Sequence, residues 1–133
     1  MIFGIDLGTT NSLIAWLKDG VPTAIPNVHG NVLTPSAVSV DTDGSLLVGA
    51  TARERLVTHP KRSAASFKRL MGSGQKLTLA GTHYRPEDLS ALVLRALKAD
   101  AEHATGEKVE DVIISVPAYF NDQQRKAMAS SFW

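Results

Sequence analysis

Cysteine is absent from the 133-residue chain, which rules out disulfides, iron–sulfur ligation, zinc fingers and a thiolate nucleophile. No long apolar run is present either. The longest, Val112 to Phe120, carries Ser115 and Pro117 and falls far short of the ~20 residues that a membrane span requires. An excess of one charge is also missing, with 14 basic against 13 acidic side chains. A chain so balanced has no overall attraction to nucleic acid or to a membrane surface. Charge is nevertheless uneven along it: six bases face one acid between Arg53 and Arg69, and seven acids face three bases between Glu87 and Asp111. A nucleic-acid groove would interleave aromatic rings with those bases, and only Phe67 does so. We therefore expect no nucleic-acid partner and read the basic run as a solvated face. The amino terminus lacks the basic segment of a secretory signal, and Asp6 interrupts its first apolar run, so the expected location is cytoplasmic.

What is present is a globular composition. Apolar residues make up 44% of the chain, and a domain of this size buries roughly two thirds of its unfolded surface without disulfide or metal staples. Ile2–Leu7 and Ser12–Leu17 are short apolar runs around Gly8-Thr9-Thr10-Asn11, followed by Lys18-Asp19-Gly20 and a third strand, Val21–Pro26. An antiparallel meander is expected, with Pro22 placing the third strand toward an edge. Ser36–Val40 and Leu46–Val48 flank Asp43-Gly44, a hairpin signal. Ala50–Val57 and Ser63–Met71 read as short helices, Leu77–Tyr84 as two brief strands around Gly81. From Pro86 the spacing of Leu89, Val93, Leu97 and Ala101 predicts a long helix, opened by Glu87 and Asp88 and closed by Gly106. Asp111–Val116 has the β-branched composition of a strand covered on both faces, and Asn121 or Asp122 can cap a terminal helix. This order implies two subdomains, residues 1–36 with 109–133 and residues 37–108. No internal repeat is visible.

Asp6 stands out chemically, because a carboxylate ending a strand of Ile, Phe and Leu would lose hydration and require a cation or donors. A hydrated magnesium ion would serve. The turn that follows offers backbone N–H groups and hydroxyls suited to a phosphate chain, although a hairpin that simply favours Gly and Asn has the same composition. It is not a P-loop, since no Gly-Lys-Ser/Thr ending opens a helix. Lys68 taken alone reads as an exposed lysine, and His29, His59, His83 and His103 as surface residues without ligand spacing.

Taken together, Asp6-Leu7-Gly8-Thr9-Thr10-Asn11-Ser12, Phe67-Lys68-Arg69-Leu70-Met71-Gly72 and Val116-Pro117-Ala118-Tyr119-Phe120-Asn121-Asp122-Gln123-Gln124-Arg125 resemble the seventy-kilodalton heat-shock chaperones, in unbroken order from Ile2 to about Ala127. The first segment is shared with sugar kinases of the same actin-like superfamily, whereas the third is far more specific to the chaperones. Ser12-Leu13-Ile14-Ala15, Phe67-Lys68-Arg69 and Leu77–Arg85 look most like the HscC-like branch.

The resemblance implies an α/β chain with the actin-like ATPase, ribonuclease H-like fold. It would be the first lobe only, an incomplete five-stranded mixed sheet with an inserted α+β subdomain. By position, Asp6 matches the family's magnesium-shell carboxylate, acting through water. Gly8, Thr9, Thr10 and Asn11 match the first phosphate-binding turn, and Lys68 the lysine that reaches the γ-phosphate and the attacking water. With the ordinary lysine pKa of ~10.4, Lys68 would orient water and stabilise charge rather than act as a general base. Pro117 and Arg125 match the switch proline and relay arginine that link nucleotide state to the peptide-binding domain. The implied cofactors are ATP or ADP with magnesium. The implied partners are unfolded client polypeptides, a J-domain co-chaperone and a nucleotide-exchange factor.

The family's second phosphate loop, second acidic magnesium-shell residue, adenosine-binding lobe and peptide-binding domain lie outside these 133 residues, and Ala129-Ser130-Ser131-Phe132-Trp133 departs from the family pattern. Little or no turnover is therefore expected from this stretch by itself. An apolar strand edge beside Asp111–Val116 would be left open to self-association. The alternatives are a binding or interaction module without catalysis and, more distantly, a sugar kinase.

Overall fold

The computed structural model describes residues 2–116 and 120–132. The expectation placed on Pro117 lies outside them. In chain order the strands are β1 (Ile2–Leu7), β2 (Asn11–Lys18), β3 (Val21–Ala24), β4 (Thr34–Pro35), β5 (Ala37–Val40) and β6 (Leu46–Val48), then β7 (Ser63–Ala65), β8 (Leu77–Leu79), β9 (Thr82–Tyr84) and β10 (Asp111–Ser115). The helices are α1 (Ala50–Thr58), α2 (Pro86–Thr105) and α3 (Asp122–Phe132), with 3₁₀ turns at Pro60–Arg62 and Phe67–Leu70.

β1, β2 and β3 form the expected meander. Phe3, Ile5 and Leu7 alternate into the core while Ile2 and Asp6 stay exposed, the period of a half-buried strand. Both residues of the Asp19-Gly20 turn have positive φ, at 53° and 78°, as a two-residue hairpin of type I′ needs. β3 is exposed along its whole length, which accommodates Pro22 on an edge. On the other side, β10 runs parallel to β1, giving a mixed sheet in the order β10-β1-β2-β3, with β4 pairing the start of β2. The two-residue β4 was not anticipated. It forms because Ser12 and Asn11 align with Thr34 and Pro35 across a polar stretch that has no strand pattern of its own.

Ser63–Met71 corrects a helical expectation. Its first three residues are β7, which completes the sheet β6-β5-β7, and only Phe67–Leu70 turns, as 3₁₀. The buried Ser63 hydroxyl donates to the His59 carbonyl at 2.9 Å and lies 2.8 Å from Ser39 Oγ across the strands, and Ser66 breaks the chain direction with a left-handed φ of 57°. Local propensity is a weak prior against such pairing. β10 also differs from expectation. It alternates exposed and half-buried residues, with Ile113 at 59% exposure, because among the described residues nothing packs on that face.

The long helix is as its periodicity predicts. Leu89, Val93, Leu97 and Ala101 are buried, the Asp88 carboxylate caps the start by accepting from the Arg85 N–H and guanidinium, and Gly106 ends it with φ of 70°. α2 packs on β2, β5, β6 and α3. One apolar cluster thereby joins Phe3, Ile5 and Ile14 of the first sheet to Val38 of the second and to Phe67, Met71 and Met128. Among the described residues no helix is long and apolar enough to cross a membrane.

Candidate functional site

The turn between β1 and β2 is held from behind by hydroxyls. Ser36 Oγ donates to the Gly8 carbonyl at 2.8 Å and lies 2.7 Å from Ser12 Oγ, while Ser36 N–H donates to the Thr10 carbonyl at 2.8 Å. Because Ser36 has one hydroxyl proton and gives it to Gly8, Ser12 must be the donor between the two serines. Both serines are buried. Gly8 has no alternative residue here, since a Cβ would overlap the carbonyl oxygen of Asn11. The backbone therefore folds tightly on itself, leaving Thr10 exposed and Thr9 and Asn11 half-buried at the surface. Neither Ser12 nor Ser36 was singled out from the sequence as a site residue. Only the chain fold, which places them 24 positions apart and in contact, reveals their role.

Asp6 is the penultimate residue of β1, beside this turn, opposite Leu13 on one side and Ser115 on the other. Its side chain lies on the open face of the sheet and is exposed, which corrects the expectation of a dehydrated carboxylate. The apolar residues around it in sequence point to the opposite face. An exposed carboxylate needs no partner for its own stability, so the reason for an acid here must be sought in what it faces.

It faces Lys68. The lysine sits in the 3₁₀ turn Phe67–Leu70, anchored by the buried Phe67, and is itself half-buried. Burial pushes its ammonium below the ordinary value of 10.5, while the negative charge of Asp6 pulls it back up, and burial wins. The lysine is thus not the unperturbed group that sequence reasoning supposed. The two charges act on each other without a salt bridge, the ion pairs among the described residues being Arg55–Asp41, Arg85–Asp88 and Arg125–Asp122. Asp6, beside the turn, and Lys68, distant in sequence, are therefore coupled electrostatically.

Arg125 is placed elsewhere. It projects from α3, half exposed, bonds Asp122 at 3.3 Å and borders a groove of about 270 Å³ with Val112, Ile114, Val116 and Met128. A cavity of about 580 Å³ is also away from Asp6, bounded by Gln75, Lys76, Arg85, Glu87, Arg95 and Gln123. Asp6 and Lys68 border neither of these, whereas Asn11 of the turn borders a cleft of about 370 Å³ with Asn27, Asn31, Pro35 and Arg53.

The donor chemistry fits a magnesium–phosphate group. Among the described residues no three carboxylates or histidines gather to chelate a metal directly. Magnesium commonly keeps most of its water and takes one or two carboxylates plus phosphate oxygens, which a lone exposed Asp6 can provide. Backbone N–H groups and hydroxyls in a tight turn suit the phosphate.

Compared with protein families, the sequence matches the model described as Hsp70 protein over residues 2–78 and 74–132. The match covers the turn, Asp6, Lys68 and α3 alike, so this chain belongs to the Hsp70 family.

Proposed function

We propose that these 133 residues are the phosphate-facing first lobe of an ATP-dependent protein-folding chaperone, of the HscC-like branch, built as residues 1–36 with 109–133 around an inserted unit, 37–108. The observation that carries this reading is the electrostatic meeting of Asp6 and Lys68 beside a rigid, glycine-dependent turn. An exposed acid acting on a half-buried lysine beside such a turn is the charge arrangement that a phosphate site with a hydrated cation requires.

In this reading the backbone N–H groups and hydroxyls of Thr9, Thr10 and Asn11 hold phosphate oxygens, and Gly8 lets the turn close. Asp6 accepts hydrogen bonds from the water shell of the nucleotide's magnesium. When bound, the metal neutralises phosphate charge and presents the phosphates in one orientation. Lys68 donates to the terminal phosphate and orients water. Phosphate charge adds to that of Asp6 in favouring its protonated form, so it stabilises charge rather than removing a proton. Arg125, at the first turns of α3, and Pro117 before it would pass nucleotide state onward to client-binding parts of the family's longer chains. J-domain and exchange-factor partners follow from the same membership.

The open geometry supports binding with little turnover, because charge stabilisation strong enough for chemistry needs a water-excluding wall opposite. Calorimetric titration of the chain with Mg-ATP tests the reading. Saturable binding is expected, weakened on the order of tenfold in Lys68→Ala and in Asp6→Asn, the loss typical of one charge-assisted hydrogen bond. Absence of heat from the folded chain, or equal binding by both variants, would overturn it.

A further inference from the structure

The segment carrying Lys68 is gripped by a residue from the far end of the chain. Gln124, in the first turn of α3, donates from Nε2 to the Met71 carbonyl at 3.0 Å, and its Oε1 accepts from the Asn121 N–H at 2.9 Å. Met71 in turn donates its own N–H to the Lys68 carbonyl at 3.2 Å. A continuous hydrogen-bonded path therefore runs from α3 through Gln124 and Met71 to the backbone of Lys68.

Each link is built so that movement at one end is felt at the other. Met71 is fully buried, with Ser90 Oγ of α2 3.5 Å from its sulfur, so it cannot slide independently of the core. Gly72 N–H is held by Glu87 Oε1 at 2.8 Å. A Cβ at Gly72 would come within 2.8 Å of Gln124 Cγ, so the glycine makes room for the glutamine stem to cross the chain. The clamp also demands its residue type. The Gln carboxamide offers a donor and an acceptor on one rigid plane, whereas an ionised Glu could not donate to Met71, Asn is a methylene shorter, and Lys could not accept from Asn121. Asn121 Oδ1 completes the α3 cap by accepting from Gln124 N–H at 2.8 Å. The start of α3 and the clamp are consequently one assembly.

We propose that Gln124 is a positioning residue that fixes Lys68 over the phosphate site and makes the placement of α3, the helix bearing Arg125, part of that site's geometry. This rests on the phosphate-site reading above for its purpose, but not for its test. The side-chain titration of Lys68, followed by NMR in the complete 133-residue chain, is compared among wild type, Gln124→Met and Asn121→Ala. Gln124→Met is of similar length, loses the donor to Met71 and adds no charge. Asn121→Ala loses the α3 cap bond and keeps Gln124 with both of its side-chain bonds.

The expected result is a Lys68 midpoint displaced upward toward 10.5 in Gln124→Met, as the loosened turn hydrates the ammonium, and less displaced in Asn121→Ala. Mg-ATP binding, where wild type shows it, should weaken severalfold in Gln124→Met and less in Asn121→Ala. An unchanged midpoint in Gln124→Met overturns the proposal, as does an equal displacement in both variants, which would show that the bond to Met71 is not what holds Lys68. Should Gln124→Met fail to fold, Gln124→Asn, uncharged and too short to reach Met71, is judged by the same midpoint. If wild type binds no Mg-ATP, the phosphate-site reading fails while the titration still decides whether Gln124 positions Lys68.

Discussion

Gly8 and Lys68 carry the sharpest consequences of single side chains. At Gly8, any Cβ would overlap the Asn11 carbonyl, so Gly8→Ala must open the turn and disturb the Ser36 bond to the Gly8 carbonyl. We expect a loss of about 1–3 kcal/mol in urea unfolding, the range of strained or unsatisfied sites, together with weaker Mg-ATP binding. A variant as stable as wild type would show that the turn has slack. Lys68 is expected to act in the opposite sense. Its folded value lies below 10.5, so the charged form is less welcome in the folded state than in the unfolded chain. That penalty is complete below the folded value and disappears as pH rises from it toward 10.5. Lys68→Met should therefore unfold no more easily than wild type at neutral pH, and its stability advantage should shrink as pH rises through this window. Unfolding curves collected across alkaline pH check the sign; an advantage that grew with pH would contradict it.

At the scale of elements, α2 owes its start to a cap that the composition only partly announces. Arg85 occupies the N-cap position, and Asp88 Oδ2 accepts from Arg85 N–H at 2.9 Å while the guanidinium holds Oδ1 at the same distance. The Arg85 side-chain bond is the main cause holding the Asp88 carboxyl below its ordinary 3.8. A depressed carboxylate stabilises the fold above its unfolded value, and that contribution is lost as pH falls through the folded value. Asp88→Ala should cost about 1 kcal/mol at neutral pH, as for other helix caps, and should remove this acid step. Thermal melts at neutral pH and well below 3.8 measure both effects. A difference from wild type that persisted fully in acid would place the effect elsewhere.

For the whole molecule, the open side of the first sheet is the distinctive feature. β10 forms its edge, and Ile2 and Ile113 lie exposed on a face that the described residues leave uncovered. Unpaired apolar edges recruit further strands, so light scattering should show concentration-dependent association of the chain, suppressed by the charge of Ile113→Lys. A monodisperse monomer at high concentration would refute this. The meander, the Asp43-Gly44 hairpin, the α2 stripe and the Asn121 cap were legible in the sequence because each depends on residues within one or two turns of one another. The family likewise was legible, in three short segments. Tertiary structure alone decided that Ser63–Ala65 is a strand, that Asp6 is exposed and acts on Lys68, and that burial depresses the lysine. It also decided that Gln124 reaches Met71 across 53 positions and that Ser36 braces Gly8 across 28. Such facts depend on which surfaces the packed core presses together, and local periodicity and turn chemistry contain no record of that.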